Sequence, residues 1–322
     1  MNILITSAGR RVSLVKAFKK ELKKLVPFSN VFTVDYEPEL SAACHVSDKS
    51  FSVPKAEDIN YVDSLLSICI ENNVKLIIPT IDTELLVLSD NKKMFLDKGI
   101  NIIVSSVDFV LKCRDKRKIH NFFVKNNIQV AKEYSRSNYK FPLFLKPYDG
   151  SRSVDNFIIK RKEDLSSMHL ENKKLMFLEY LDQTLYEEFT CDMYYDKNNK
   201  LKCVVPRKRI EIRDGEINKG ITKKNIIIDF TKEHLSQING AIGCLTVQFF
   251  KHKVNEKIIG IEINPRFGGG FPLTYLAGAN YVKWILEEYL FDKKIEEQFD
   301  CWENNLLMLR YDKEVLVNDY KN

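Results

Sequence analysis

Cysteine never appears in a paired spacing. The seven residues at 44, 69, 113, 191, 203, 244 and 301 form no CxxC motif, and their number is odd. That excludes a zinc ribbon and a disulfide-stapled scaffold and fits a reducing cytoplasm. No apolar run is long enough to span a bilayer. The first residues, Met-Asn-Ile-Leu-Ile-Thr, carry no basic segment and enter a strand at once, so no signal peptide is expected. Glycine is missing where a dinucleotide fold needs it. The loop Ser7-Ala-Gly-Arg-Arg11 supplies one glycine of a GxGxxG fingerprint, so an NAD-linked oxidoreductase is disfavoured and Gly9 reads as a turn glycine. Arg10 and Arg11 remain to catch an anion at a helix N-terminus. The five histidines form no convincing Ser-His-Asp or Cys-His set and fall outside the residues singled out below. The net charge of +6 is spread along the chain, with mild clusters at 112–118 and 206–213. It lacks the one-sided basic face with interleaved aromatics of a nucleic-acid binder.

What is present is globular. Hydrophobic residues make up 44% and charged residues 29% of 322, enough for two domains or one large α/β body. The first hundred residues alternate strands at 3–6, 31–34, 75–78 and 100–104 with helices at 11–25, 61–72 and 84–95. The first helix shows apolar positions at Val12, Val15, Phe18, Leu22 and Leu25. This pattern predicts a parallel sheet covered on both faces, with ligands beyond the carboxyl ends of its strands. A helix at 108–126 follows. Strands are then expected at 141–147, 156–160, 175–180, 187–195, 201–205, 225–229, 246–250 and 258–263, an antiparallel α+β character. The change places a domain boundary near 105–115.

The most informative segment is 258–270, Ile-Ile-Gly-Ile-Glu-Ile-Asn-Pro-Arg-Phe-Gly-Gly-Gly. Glu262 and Asn264 are two apart on a strand and so leave the same face. Two oxygen ligands on one face suit Mg²⁺, which takes a few protein oxygens and completes its shell with phosphate oxygens. Arg266 offers a planar fork for phosphate or carboxylate, and the glycines let backbone pass close to a neighbour. Gln248 lies fourteen residues before Glu262, and a turn near Asn255-Glu256 brings the two side by side on antiparallel strands. Lys146 ends the apolar run Pro142-Leu-Phe-Leu-Lys146 beside a Gly/Ser loop, where its ammonium and the loop N–H groups can meet phosphate. Alone it also reads as a surface lysine before a turn. Glu179, in Phe177-Leu-Glu-Tyr-Leu181, reads equally as a solvated strand residue or as part of a strand that meets a heterocycle, and Glu188 can take ribose hydroxyls.

The order of lysine strand, linking strand and paired-strand metal site resembles the ATP-grasp superfamily over about 115–280. The Glu-Ile-Asn-Pro-Arg-Phe-Gly-Gly-Gly segment resembles the carbamoyl-phosphate synthetase large subunit and its single-module relatives. Ile-Leu-Ile-Thr-Ser-Ala-Gly-Arg-Arg at the N-terminus and Ile81-Asp-Thr-Glu-Leu85 resemble the pre-ATP-grasp domain of the pyrrolysine-biosynthesis ligase. The resemblance implies a Rossmann-like pre-ATP-grasp domain at 1–110 followed by a two-lobed ATP-grasp fold, with a small lobe at 111–178 and a large lobe with the metal site at 179–322. It implies ATP as cosubstrate with Mg²⁺, or Mn²⁺ in its place. Lys116 and Lys146 would then hold phosphates, Glu179 and Leu181 the adenine, and Glu188 the ribose. Gln248, Glu262 and Asn264 would hold the metal, and Arg266 would face the transferred phosphoryl group. The loop 149–155 departs from the family by having one glycine, and Arg152 offers an alternative phosphate contact.

The chemistry implied is carboxylate–amine ligation through an acyl phosphate, in a cytoplasmic protein acting on small molecules and on neither nucleic acid nor membrane. A homodimer is common in this fold family. Asp82 and Glu84 are expected to hold a substrate ammonium, although Asp82 also reads as a helix cap. Arg10, Arg207 and Arg209 are expected to hold carboxylates or phosphates. An amino acid or sugar acid fits that set. A small-molecule kinase or a nucleotide-binding regulator is the alternative on the same fold.

Overall fold

A computed structural model describes residues 1–150, 154–213 and 216–320. Among the described residues the strands form three sheets. The first is parallel and five-stranded, in the order Lys49–Ser52, Val31–Asp35, Asn2–Ile5, Val74–Ile78, Asn101–Ile102. Its apolar central strands are buried on both faces because helices return the chain over each side. Helix Val12–Leu25 buries Leu14, Val15, Phe18 and Leu22 at helical spacing, with Val12 and Leu25 at the margin. Its partner is the C-terminal helix Tyr281–Phe291, so the first and last helices share one core.

The second sheet is antiparallel, in the order Glu133–Tyr134, Leu175–Glu179, Leu143–Pro147, Phe157–Ile159. The third has seven strands in the order Leu307–Leu309, Glu216–Thr222, Leu201–Arg213, Tyr186–Tyr195, Gly243–His252, Ile258–Asn264, Gln129–Val130. All its pairings are antiparallel except the last.

Several expected elements are corrected. The helix at 84–95 divides at Asn91 into Asp82–Asp90 and Lys92–Leu96. The helix at 108–126 divides at Asp115, whose extended backbone ends Val107–Arg114 and whose carboxylate accepts from Arg117 N at 2.9 Å to cap Lys116–Lys125. The apolar run at 225–229 is not a strand. Helix Ile227–His234 buries Ile227 and Thr231, four apart, so tertiary packing overrides β-branched propensity. The strand at 201–205 continues to Arg213, because its later cavity-facing positions carry arginine and lose the apolar alternation. The edge strands Lys49–Ser52 and Leu307–Leu309, and Glu216–Thr222 next to the latter, are half polar or short and had no sequence signal.

Candidate active site

A cavity of about 1030 Å³ is walled by the second and third sheets and by segments 7–11 and 80–83, which follow strands Asn2–Ile5 and Val74–Ile78 of the parallel sheet. Strand periodicity explains most of its lining. On Leu143–Pro147, Leu143 and Leu145 enter the small-lobe core while Phe144 and Lys146 face the cavity. Lys146 is only 6% exposed, yet no carboxylate among the described residues pairs with it. Burial pushes its ammonium down to about 8, with Glu262 and Glu188 pulling up and Lys116 pushing down. Below that value the ammonium keeps its charge at a desolvation cost, which an arriving anion would offset.

Gln248 and Glu262 stand opposite each other on Gly243–His252 and Ile258–Asn264, and Asn264 Nδ2 donates to Glu262 Oε1 at 3.1 Å. The two strands do not run in simple register. Phe249 pairs with Gly260 and Gln248 with Glu262, so Ile261 is bulged out. Ile258 and Ile263 therefore enter the same core despite their odd separation, while Glu262 and Asn264 face the cavity. Gly260 packs against helix Lys116–Lys125, where a Cβ would fall 2.7 Å from the Phe123 ring.

The helix break at Asp115 puts Lys116 at the first turn of a helix. Its backbone N donates to Tyr148 O at 2.8 Å and its ammonium to Gly150 O. Ser151, Arg152 and Ser153 of the expected phosphate loop 149–155 lie outside the described residues. The linking strand brings Glu179 and Leu181 to the cavity wall. Glu179 N donates to Lys132 O at 2.8 Å and its exposed carboxylate accepts from Lys132 N at 3.3 Å. Phe144, Ile158, Leu178, Phe250 and Ile259 give this end an apolar lining.

The other expected residues are more occupied than the sequence suggested. Glu188 and Arg209 form an ion pair at 2.5 Å. Arg207 is buried and its guanidinium donates to Asp192 at 2.8 Å, so charge pairing inside the sheet competes with any substrate role. Asp192 also accepts from Thr274 Oγ1 at 2.5 Å. Asp82 meets a cation as expected, but the cation is Arg266, at 2.5 Å. Glu84 is a correction. It is fully buried away from the cavity, accepting from Thr80 N at 2.7 Å, Ser7 Oγ at 2.7 Å, Tyr61 OH at 3.0 Å and Ile81 N at 3.1 Å. Burial pushes its pKa up. It caps its own helix from within, the reciprocal half of a capping box. Arg10 is exposed at the cavity rim.

The glycine run does approach neighbours closely, but those neighbours are the protein's own. A Cβ on Gly268 would meet Thr246, on Gly269 the Glu216 carboxylate, and on Gly270 the Arg207 guanidinium. Three residues were missed as part of this region. His120 is buried beside Lys146, and burial and that ammonium push it down to about 4, leaving a neutral ring. Its placement on the inner face of an interrupted helix was the only signal. Glu216 starts strand Glu216–Thr222 and Arg310 follows the edge strand Leu307–Leu309; both reach the cavity and had none.

Gln248, Glu262 and Asn264 offer one carboxylate and two amide oxygens on one face, a donor set that fits Mg²⁺ when phosphate completes the shell. Residues 3–103 match the family model described as PylC-like, N-terminal domain. Residues 171–305 match the model described as ATP-grasp in the biosynthetic pathway with Ter operon. No curated protein matched in sequence. Among solved structures, N5-carboxyaminoimidazole synthetase from Staphylococcus aureus, complexed with ADP, aligns at 16% identity and TM-score 0.71, over 92% of this chain and 78% of that one. The biotin carboxylase domain of Hydrogenobacter thermophilus 2-oxoglutarate carboxylase aligns at 12% identity and TM-score 0.71, over 94% and 72%. Biotin carboxylase from Campylobacter jejuni aligns at 16% identity and TM-score 0.70, over 95% and 74%. At these identities the structures show the fold alone, and the two family models place a PylC-like N-terminal domain over residues 3–103 ahead of an ATP-grasp segment over residues 171–305.

Proposed function

We propose that the protein is an ATP- and Mg²⁺-dependent carboxylate–amine ligase acting on small molecules in the cytoplasm. The observation that carries this reading is the meeting of a buried, carboxylate-free Lys146 with the Gln248, Glu262 and Asn264 face across one cavity. Domain limits of 1–110, 111–178 and 179–322 go with it. The neighbouring structures with ADP or an ATP analogue support a nucleotide between the second and third sheets.

Lys116 and Lys146 take the phosphates, the backbone of Glu179 to Leu181 takes the adenine edge, and Glu188 takes the ribose while Arg209 fixes its carboxylate. Gln248, Glu262 and Asn264 would hold Mg²⁺, which when bound offsets charge on the phosphate oxygens. The reaction runs in two displacements. A substrate carboxylate oxygen attacks the γ-phosphorus, the bond to the β-phosphate oxygen breaks, and ADP leaves. The amine then attacks the acyl carbon, the carbon–oxygen bond to phosphate breaks, and the amine loses a proton to give the amide. Phosphoryl transfer asks for positioning and charge balance more than for a protein nucleophile. Arg266 supplies a planar donor pair to the oxygens that gain charge.

The test is ADP release from purified protein with Mg²⁺ and a screen of amino acids and sugar acids, each with and without amines. ADP release requiring both an acid and an amine supports the ligase. Release with the acid alone and a stable phosphorylated product identifies the kinase alternative. No MgATP binding at all would sink both.

A further inference from the structure

Past the metal strands, the cavity ends in a cluster of guanidinium groups. Arg11 comes from the loop before the first helix, Arg266 from the end of the metal strand, and Arg310 from just beyond the last strand. Arg310 is fixed by donating Nη2 to Gly269 O at 2.7 Å and its backbone N to Asn218 O at 3.0 Å. The carboxylate shared by Arg11 and Arg310 is Glu216, 3.8 Å from Arg11 Nη1 and 3.0 Å from Arg310 Nη1. The Arg11 contact is long. Among the described residues its Nη2 reaches Thr80 O, at 3.5 Å. The Glu216 side chain is 49% exposed, and its carboxylate lies over Gly269. The cations also burden one another. Burial first, and then Arg266, push Arg11 below its ordinary pKa. Asp82 takes Arg266, and the half-exposed Glu216 is shared between Arg11 and Arg310, so an external anion can complete that pair.

We propose that the space between Arg11 and Arg310 binds a second anionic group of the acid substrate, in the place Glu216 takes in the free protein. This rests on the ligase reading, in which Arg266 faces the carboxylate that is activated. The substrate class is then a small diacid or a phosphorylated acid, with one anionic group at the chemistry and the other at the arginine pair. A simple monocarboxylic acid leaves that pair to Glu216. Arg10 stands at the rim of the same end and adds positive potential along the entry path.

The test is calorimetric titration of the full chain, without nucleotide, at neutral pH and low salt. The probes are propionate, succinate and phosphonopropionate. Both dianions should bind at least about tenfold tighter than propionate, a difference of about 1.4 kcal/mol. Arg310→Gln, or Arg11→Gln if the first variant does not fold, should abolish that preference. Glu216→Gln should tighten dianion binding several-fold, because the internal competitor is gone. The tighter of the two dianions tells a carboxylate site from a phosphate site. Equal affinity for the three acids would overturn the proposal. So would Glu216→Gln weakening dianion binding as Arg310→Gln does, since Glu216 would then belong to a structural clasp. MgATP titration on the same preparations keeps the two readings apart. Arg310-dependent dianion binding without ATP binding removes the ligase and keeps this site, whereas ATP binding without dianion preference removes this site alone.

Discussion

The two ends of the cavity are built by opposite electrostatic rules. At the metal end, charges are held apart. Among the described residues, Lys146 is buried without a carboxylate partner, and Glu262 accepts from an amide of its own strand and from no cation. At the arginine end, charges are matched internally, by Arg207 with Asp192, Arg266 with Asp82, and Arg310 with Glu216. An unpaired buried charge costs free energy in the empty protein and recovers it on binding. A paired charge is comfortable when empty and must exchange partners to bind. The first end is preorganised for one constant ligand. The second is suited to sorting substrates, because only an anion that outcompetes a resident carboxylate gains entry.

That contrast can be broken at the metal end first. Glu262→Gln keeps size and removes the only carboxylate of the proposed metal set. We expect Mg²⁺-dependent ADP release to fall by roughly 10²–10³-fold, the scale of losing one preorganised electrostatic contact, with an unchanged circular dichroism spectrum. Turnover at the wild-type rate in this variant would take Glu262 out of the metal site.

Arg266 sits at the join of the two ends and sharpens the comparison. Arg266→Lys keeps charge and loses the planar fork. A drop of about 10²-fold in kcat with far less change in ATP affinity is expected, since the contact strengthens as charge moves onto the transferred oxygens. Asp82→Asn removes the same ion pair from the other side and should leave kcat much closer to wild type. If the two variants lose activity and melting temperature in parallel, Arg266 serves as a tie to the N-terminal domain and not as a catalytic group.

The smallest effect is on affinity. Lys146→Ala should weaken ATP binding by about tenfold, the loss of one charge-assisted phosphate contact. The pH dependence carries its own sign. With its pKa lowered to about 8, Lys146 loses its proton in the free protein as pH rises through that value. ATP affinity should therefore fall above about pH 8, and Lys146→Ala should flatten that fall. Folding stability moves the other way. Between about 8 and the ordinary lysine value the unfolded chain holds more protons, so this group's contribution to stability rises with pH there. A wild-type ATP affinity that is level across this range would place Lys146 off the phosphates.

The same contrast explains what could be read from the residues. The metal end was legible because its parts sit at strand ends with local signals. Lysine closes an apolar run, and Glu262 and Asn264 share strand parity. Gln248 needed only one antiparallel turn, and its pairing with Glu262 is the observed register. The arginine end depends on contacts between residues far apart in sequence, such as Asp82 with Arg266, separated by 184 positions. No periodicity encodes such a pair. Glu84 misled because two acids near a strand end look alike, and only the tertiary placement of Ser7 and Tyr61 shows that one of them is internal. Strand Leu201–Arg213 was cut short for a related reason. Its charged half pairs within the protein, Arg207 with Asp192, Lys208 with Glu187 and Arg209 with Glu188, and such pairs between strands leave no apolar alternation to read.

The bulge at Ile261 has a consequence for how this gene can change. A strand ordinarily tolerates no single-codon deletion, because every later side chain exchanges faces. Here Gly260 and Glu262 already pair with the adjacent residues Phe249 and Gln248. Loss of the codon for Ile261 would close the ladder without exchanging core and cavity faces. It would remove the local twist and the main-chain contact with His120, and so should give a folded chain with a misaimed Glu262. Loss of the codon for Ile259 or Ile263 would instead turn apolar residues outward. Deletion variants along this strand would thus separate the positions that maintain the fold from the one that aims the site.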